Sequence, residues 1–285
     1  MRIPSNKIKD IIRFAHQELD GLYPEGEVDS MTRILLEEVS DRPLAELLAD
    51  KEQTVNESDL LTINFAIKDL KKEKPLQQIL GYCDFAGVRI NLNRKVLIPR
   101  VETEELTMMI IRENKGRCGL KILDACCGSG CMALALAGNI PESVVTAVDL
   151  SMEAIEQTRE NAQANALNVE VVAADVFSDM PFDTCFDIIV SNPPYVRESE
   201  KAMMRNNVLL YEPHSALFVK DEDPLTYYRA LCRIADRHLR QGGVLYLEIN
   251  EGLAEQTEAI FKPKYDTLLS KDLRDKYRFL RVRKV

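Results

Sequence analysis

The sequence predicts an α/β fold built on a mostly parallel sheet, preceded by a small helical bundle and a hairpin. Three observations support this prediction. Apolar residues recur at helical spacing in residues 1–74, glycines interrupt short apolar stretches in residues 75–100, and apolar strands alternate with helical segments in residues 101–285. Strands separated by helices form βαβ units, which place parallel strands in one sheet. These three ranges are the predicted domains and linker.

Residues 1–74 show helical periodicity and contain no cluster of catalytic side chains. Ile8, Ile11 and Ile12 begin one apolar face, Pro43 favours a helix start, and Ser58 precedes a long periodic segment. Such a bundle is explained either by simple packing or by the docking of a protein substrate.

Residues 75–100 predict a β-hairpin that links the two domains. Gly81, Gly87 and Asn93 interrupt apolar stretches that include 88–90 and 96–98. Seven strands are then predicted at 121–124, 144–148, 169–173, 186–190, 244–249, 265–270 and 277–284, and helices at 102–113, 130–138, 151–165, 224–240 and 252–261. The last two strands have little sequence between them, so one of them is expected to run antiparallel.

Composition narrows the function classes. The net charge of −9 shifts the expectation from duplex DNA, which binds through phosphate neutralisation, towards a protein or small-molecule substrate. Seven cysteines and no N-terminal apolar segment favour reduced thiols in the cytoplasm. No apolar run reaches the roughly 20 residues that span a membrane. The cysteines at 126, 127 and 131 lack a C-x-x-C spacing and the histidines are scattered, so no metal is expected.

A loop of small residues follows the strand 121–124 and opens a helix. It consists of Cys126, Cys127, Gly128, Ser129 and Gly130. Small residues let the backbone pass close to a ligand, and the helix N-terminus adds free N–H groups. Because the pattern also fits the G-x-G-x-x-A dinucleotide fingerprint, a nicotinamide-dependent oxidoreductase is an alternative at this point.

Two carboxylates follow the next two strands. Asp149 ends its strand 19 residues after Gly130, where a carboxylate accepts both ribose hydroxyls of an adenosine cofactor. Helix capping before Ser151 is the plainer interpretation. Asp175 is placed to accept from an adenine amino group, with Val176 as its apolar neighbour, because α/β sheets bind ligands beyond the carboxyl ends of their strands. A solvated loop residue is the alternative for Asp175.

The segment Asn192-Pro193-Pro194-Tyr195 follows the buried strand 186–190. The prolines lack N–H groups, which leaves the Pro193 carbonyl free to accept a hydrogen bond beside the Asn192 side-chain carbonyl. Two acceptors hold both hydrogens of a planar NH2 group and aim its nitrogen at the methyl group of a sulfonium donor. Orientation supplies at most ~7–11 kcal/mol, the acceptors stabilise the charge growing on the nitrogen, and Tyr195 packs over the planar group. A strand-ending turn is the alternative.

The order of these features resembles the class I methyltransferases that act on exocyclic nitrogens. Five segments resemble the HemK-like release-factor glutamine methyltransferases: PLQQILG at 75–81, LIPRVETE at 97–104, EPHSAL at 212–217, GGVLYLEI at 242–249 and KDL at 271–273. The resemblance is strong over 75–285 and rests on position and type alone for the N-terminal helices. It implies a Rossmann-like domain with a mostly parallel seven-stranded sheet and S-adenosylmethionine as the cofactor.

The resemblance also implies a substrate and a set of site residues. The substrate is the glutamine of the Gly-Gly-Gln motif of class I peptide chain release factors, docked in part by residues 1–74. The residues implied to act on or bind that glutamine are Asn192, Pro193, Pro194, Tyr195, Arg100 and Glu104. Those implied to bind the cofactor are Cys126, Cys127, Gly128, Ser129, Gly130, Asp149, Asp175, Val176 and Asn192. No membrane and no stable nucleic-acid partner is expected.

Two departures from the family pattern and several alternatives stay open. Cys126-Cys127 replaces the usual Gly-Thr, so Cys126 needs a backbone conformation available without glycine, and Val101 replaces a proline. A ribosomal-protein glutamine methyltransferase is an alternative, as is a nucleic-acid adenine or cytosine amino methyltransferase. The nucleic-acid enzyme needs a basic, aromatic-lined face for a flipped base, which the acidic charge disfavours. An oxidoreductase leaves the 192–195 motif unexplained, and a non-catalytic binding module is the fourth possibility.

Overall fold

The computed structural model describes residues 3–49 and 53–285. The chain divides into two compact units, Met1–Leu80 and Gly81–Val285. The helices of the first unit are α1 (Ile8–Leu19), α2 (Glu25–Ser40), α3 (Leu44–Ala49), α4 (Glu57–Leu70) and α5 (Leu76–Leu80). None of the described helices in either unit has the length and hydropathy of a membrane-spanning segment.

The apolar faces of α1, α2 and α4 form the core of the first unit. Ile11 and Ala15 of α1 are fully buried in it, together with Leu36 of α2. Helix α4 begins at Glu57, ahead of the start expected after Ser58, because the Asn56 side chain accepts from the Asp59 N–H at 2.8 Å and caps the first turn. The docking role of residues 1–74 stays a prediction.

The second unit opens with the antiparallel hairpin of β1 (Tyr82–Phe85) and β2 (Val88–Asn91). Its two turn residues, Ala86 and Gly87, both have positive φ, at 46° and 87°, as a two-residue hairpin turn of type I′ requires. The hairpin side chains pack into the core of the second unit, whereas Leu76 packs into the first. The boundary between the two compact units therefore falls after Leu80. It lies between the two domain boundaries predicted from the sequence, which follow residues 74 and 100.

The remaining elements alternate as the sequence pattern indicates. The helices are α6 (Val101–Glu113), α7 (Cys131–Asn139), α8 (Met152–Ala164), α9 (Asn206–Leu209), α10 (Thr226–His238) and α11 (Ala254–Phe261). The strands are β3 (Lys121–Ala125), β4 (Val144–Asp149), β5 (Val169–Ala173), β6 (Phe186–Ser191), β7 (Val196–Arg197), β8 (Phe218–Val219), β9 (Leu239–Glu248), β10 (Asp266–Lys271) and β11 (Tyr277–Arg283).

Seven of these strands form one sheet in the order β10-β11-β9-β6-β3-β4-β5. Strand β11 runs antiparallel to β9 and β10, and the other neighbouring strands pair in parallel. The predicted fold class, including the one antiparallel strand, is confirmed. Strand β9 starts at Leu239 rather than at the predicted residue 244, because Gly242 and Gly243 exchange hydrogen bonds with Lys284 and extend the ladder.

The sheet lies between two apolar layers. Helices α6 and α7 contribute buried side chains to one core, and α10 and α11 contribute to the other. Both faces of the central strands are therefore covered, which explains why their sequences are continuous apolar runs.

Strand register brings the predicted site segments together. Ala125 pairs with Val148 on one side and with Ser191 on the other, so that the chain leaves β3, β4 and β6 at the same edge. Asp149 pairs with Ala173 in the same way. Strands β4 and β6 lie on opposite sides of β3. The loops that leave these strands therefore diverge, and a crevice opens at the carboxyl ends.

Candidate active site

A cavity of about 290 Å³ lies at the carboxyl ends of β3, β4, β5 and β6. Ligand pockets in proteins run from roughly 300 to 1,000 Å³, so its size suits a small-molecule site. Seven predicted residues line it: Cys126, Gly128, Asp149, Asp175, Val176, Asn192 and Pro194. Cys127, Ser129 and Gly130 are not among its lining residues.

Hydrogen bonds within the loop after β3 and from the loop to β4 fix its conformation. The Cys127 N–H donates to Val148, the Gly130 N–H to Cys127, and the Gly128 N–H to the Asp149 carboxylate at 3.0 Å. The sequence had suggested free N–H groups here, and these three are already paired. The loop is therefore built in place before any ligand binds.

Cys126 occupies a conformation that usually belongs to glycine. Its φ is +65°, in the left-handed region, which costs an ordinary L-residue about 1–2 kcal/mol. The side chain packs against the apolar cluster under α10 and lines the cavity. Cys126 therefore replaces the family's usual glycine without changing the left-handed backbone conformation at this position.

Asp149 lines the cavity and also binds the residue that caps the next helix, while its ribose-binding role stays a prediction. One carboxylate oxygen accepts from Gly128 and the other accepts from the Ser151 N–H at 2.9 Å, while Ser151 caps α8 through Ala154. Burial raises the pKa of Asp149, and the hydrogen bonds from Ser151 and Gly128 oppose that rise. The carboxylate is fixed at the cavity wall, with lone pairs left on both oxygens.

Four further lining residues of the cavity were not identified from the sequence. Phe177 and Tyr227 form an aromatic pair, with ring centroids 4.8 Å apart, and Val96 and Pro213 also line the cavity. Tyr227 lies on the first turn of α10, in a segment with an ordinary amphipathic pattern. Nothing local distinguishes it from a core aromatic residue.

A second, smaller pocket of about 30 Å³ adjoins the Asn-Pro-Pro-Tyr segment. Its walls include Arg100, Asn192, Pro193 and Tyr195, and Asn192 lines both this pocket and the larger cavity. No described residue donates a hydrogen bond to the Pro193 carbonyl or to the Asn192 side-chain oxygen. The two acceptors expected from the sequence are thus available to a ligand.

A buried hydrogen-bonded network holds this segment from behind. The Asn192 Nδ2 donates to Thr103 Oγ1 at 3.0 Å, Thr103 donates to Glu248 at 2.6 Å, and Tyr195 donates to the other Glu248 oxygen at 2.7 Å. Glu248 is 1% exposed. Burial raises the pKa of Glu248, while the bonds from Thr103 and Tyr195 and the charge of Arg278 lower it. Burial and the Glu248 charge raise the pKa of Tyr195, which therefore keeps its proton.

Arg100 and Glu104, both predicted to bind substrate, already have partners within the chain. Arg100 bonds to the buried Glu212 at 2.5 Å, and Glu212 also accepts from the Ile98 N–H. Glu104 accepts from the Ala86 N–H at 2.7 Å and lines neither pocket. Arg100 is therefore grouped with the site and Glu104 is not, and a substrate role for either one stays a prediction.

Asp124 is the buried carboxyl directly under the cavity loop. Its Oδ2 accepts from the Ala133 N–H at 3.0 Å, whereas its Oδ1 has no partner. Burial raises the pKa of Asp124 from its usual value of 3.8 to about 7, against the lowering effect of the Ala133 bond. No group of His, Cys, Asp and Glu residues with the arrangement of a metal site occurs in residues 3–49 and 53–285.

This shift predicts a pH dependence of stability for the ligand-free protein. The folded state favours the neutral carboxyl, so the stabilising effect is complete below pH 4 and is lost as the pH rises through 7. We expect Asp124→Asn, which keeps an oxygen for Ala133, to remove about 2–3 kcal/mol of this decline between pH 5 and pH 8. Urea unfolding at pH 5 and pH 8 measures it.

The exposed Asp183→Asn is the matched control for that experiment. Its unfolding free energy should follow that of the wild type at both pH values. An Asp124→Asn variant with the same pH dependence as the wild type would contradict the assignment.

Comparison with known proteins decides the family. A release factor glutamine methyltransferase from Flavobacterium psychrophilum is 39% identical over 272 residues, which cover 93% of this chain and 95% of the relative. This chain belongs to the release factor glutamine methyltransferase family. A second member, from Bacteroides thetaiotaomicron, is 38% identical over 246 residues, covering 86% of this chain and 88% of that protein. The family and the enzyme class predicted from the sequence are confirmed.

Two domain models and a solved structure complete the comparison. The methyltransferase small domain matches residues 103–220, and the PrmC N-terminal domain matches residues 10–81. The crystal structure of a release factor-specific protein-(glutamine-N5) methyltransferase from Alicyclobacillus acidocaldarius superposes with a TM-score of 0.41, at 26% identity, over 66% of this chain and 94% of that one. The N-terminal match coincides with the first compact unit to within one residue at its end, and the other match lies within the second unit.

Proposed function

We propose that this chain transfers a methyl group from S-adenosylmethionine to the glutamine amide of the Gly-Gly-Gln motif in class I release factors. The observation that carries the proposal is the position of Asn192, which lines both the larger cavity and the small pocket. A planar amide bound in the small pocket would therefore lie next to a cofactor bound in the larger cavity. Membership in the release factor glutamine methyltransferase family supports glutamine as that amide.

The cavity residues fit an adenosine-containing cofactor. The Asp149 carboxylate, fixed by Gly128 and Ser151, would accept from the ribose hydroxyls, and Asp175 would accept from the adenine amino group. Val176 and the aromatic pair of Phe177 and Tyr227 offer apolar surface to the adenine ring. When bound, S-adenosylmethionine supplies a methyl group that ends on the amide nitrogen, with S-adenosylhomocysteine and one proton as the other products.

The chain contributes orientation and electrostatic stabilisation at the amide. The Asn192 side-chain oxygen and the Pro193 carbonyl would each accept one N–H, which fixes the nitrogen and stabilises the positive charge that develops on it. Pro194 and Tyr195 would shape the pocket around the planar group. No side chain here is required as a strong base, because the methylated amide nitrogen is acidic enough to release its proton to water.

The first unit has a surface suited to a protein partner. Leu61 and Phe65 of α4 are 50% and 61% exposed, and Lys68 lies over the Phe65 ring at 5.4 Å. These residues are spaced four and three apart, so that they share one face of the helix. This stripe supports the proposal that residues 1–74 help to dock the release factor.

Incubation with labelled S-adenosylmethionine tests the function. The acceptors are a release factor, the same factor with its Gly-Gly-Gln glutamine replaced, a ribosomal-protein mixture, DNA and ribosomal RNA. We expect label in the intact release factor alone. Label in the glutamine-free factor would contradict the proposed residue, and stronger label in ribosomal proteins or nucleic acid would favour one of the alternative substrates.

A further inference from the structure

The side-chain amide of Asn192 has two orientations of nearly equal shape. Rotation by 180° exchanges its oxygen and its NH2 group, and only one orientation offers an acceptor to a substrate N–H. The orientation is therefore a chemical property of the site that must be fixed by the groups behind Asn192. In the structure, the NH2 group points to Thr103 Oγ1 at 3.0 Å.

Thr103 has one hydroxyl proton and two polar neighbours. Glu248 lies at 2.6 Å and Asn192 at 3.0 Å. The Thr103 hydroxyl donates its one proton to Glu248 Oε2, so that none is left for Asn192. The lone pairs that remain on Thr103 accept, and the amide must then present its NH2 group to them.

The surroundings of Glu248 fix its side chain, so that Glu248 stays the acceptor of the Thr103 hydrogen bond. Its second oxygen accepts from Tyr195 at 2.7 Å. Burial raises the pKa of Glu248, and the hydrogen bonds from Thr103 and Tyr195 and the charge of Arg278 oppose that rise. Thr103 is buried on the first turn of α6, and Glu248 is the last residue of β9. Both side chains therefore extend from regular elements whose backbone positions are fixed by packing.

On the basis of the glutamine substrate proposed above, we propose that Glu248 and Thr103 are positioning residues that set the direction of the Asn192 amide. Glu248 takes the Thr103 proton, Thr103 takes an Asn192 proton, and the Asn192 oxygen is left facing the substrate. Neither Thr103 nor Glu248 lines the cavity or the small pocket. Their effect on the reaction passes through Asn192 and Tyr195.

The test is a hydroxyl deletion at Thr103 with a conservative rescue. Thr103→Val keeps the shape of the side chain but gives the amide no acceptor, and we expect kcat to fall about 10- to 100-fold. The KM for the release factor and the Kd for S-adenosylmethionine, measured by calorimetry, should change little. Thr103→Ser restores the hydroxyl and should recover kcat to within a few-fold of the wild type.

Thr107→Val is the matched control, because it removes another buried hydroxyl one turn further along α6, where Thr107 bonds only to the Thr103 carbonyl. It should keep the wild-type kcat. Glu248→Gln, which cannot accept from both hydroxyls with the same geometry, is the second variant and should lose kcat while its Tm shows a folded protein.

The outcomes separate this inference from the proposed function. Wild-type enzyme that methylates the release factor, together with Thr103→Val and Glu248→Gln variants of unchanged kcat, would overturn the positioning role alone. An equal loss of kcat in Thr103→Val and Thr103→Ser would overturn it as well, because packing would then be responsible. Wild-type enzyme without release factor methylation refutes the proposed function itself.

Discussion

Asn192→Ala is expected to lower kcat for methyl transfer by about 100- to 1,000-fold, the usual effect of removing one preorganised hydrogen-bonding group that stabilises charge in a transition state. The substitution removes the side-chain acceptor and leaves the Pro193 carbonyl as the only remaining one. The substrate nitrogen is then held by one hydrogen instead of two. Asn192 is one of many lining residues in the cofactor cavity, so the Kd for S-adenosylmethionine should stay within about fivefold.

Steady-state kinetics with a release factor and calorimetry with the cofactor measure the two quantities. Asn139→Ala is the matched control, since Asn139 ends α7, bonds to the carbonyls of Ala86 and Ala135, and lines neither pocket. It should keep the wild-type kcat. Turnover by Asn192→Ala within about tenfold of the wild type would refute the assigned role, because a loss that small is typical of an ordinary hydrogen bond and not of a group that stabilises the transition state.

Gly130→Ala is expected to have the largest effect on stability. The φ of Gly130 is +80°, and a Cβ there would lie 2.6 Å from Thr158 Cγ2 and 2.7 Å from Leu134 Cδ1. Thr158 is fully buried and donates to the Gly128 carbonyl, so it has no room to move. Overpacking and the left-handed backbone together should lower the free energy of unfolding by about 3–5 kcal/mol.

Gly128→Ala provides the contrast within the same loop. Its φ is +57°, but a Cβ there meets no atom within 4 Å. We expect a loss of only about 1–2 kcal/mol in unfolding free energy, from the backbone alone. Because Gly128 lines the cavity, its methyl group should weaken S-adenosylmethionine binding. Urea unfolding and calorimetry distinguish the two variants, and equal stability losses would contradict the packing explanation.

The order of the elements was predictable because periodicity is a local property. Strands β5 and β6 and helix α6 lie within a residue of their predicted ranges, and the shared strand ends follow from parallel pairing. The start of β9 was not predictable in this way. Gly242 and Gly243 have the local signature of a loop, and only their pairing with Lys284 makes them part of a strand.

Site residues could be predicted from the sequence where they form a short contiguous motif. Asn192 and Pro193 satisfy that condition, as do Cys126 and Gly128 of the loop after β3, whereas the other three loop residues do not line the cavity. Thr103 and Glu248 do not satisfy it, because 145 residues separate them and each has an unremarkable local context. Their partnership depends on the sheet order, which places the end of β9 beside the end of β6. Both residues lie in segments that resemble the family, 97–104 and 242–249, but the resemblance assigns neither of them a role.

Helix α8 has a consequence for the solubility of this chain. Asn161 and Asn165 exchange hydrogen bonds in both directions with the backbone of Asn91 and Arg89, at 2.7–3.2 Å. The side-chain amides imitate a third strand along the outer edge of β2, whose other edge pairs with β1. An exposed strand edge is a template for pairing between chains, which leads to aggregation. Here side chains from α8 and its C-cap occupy the outer edge of β2, so that Arg89 and Asn91 offer no free backbone groups to a strand of another chain.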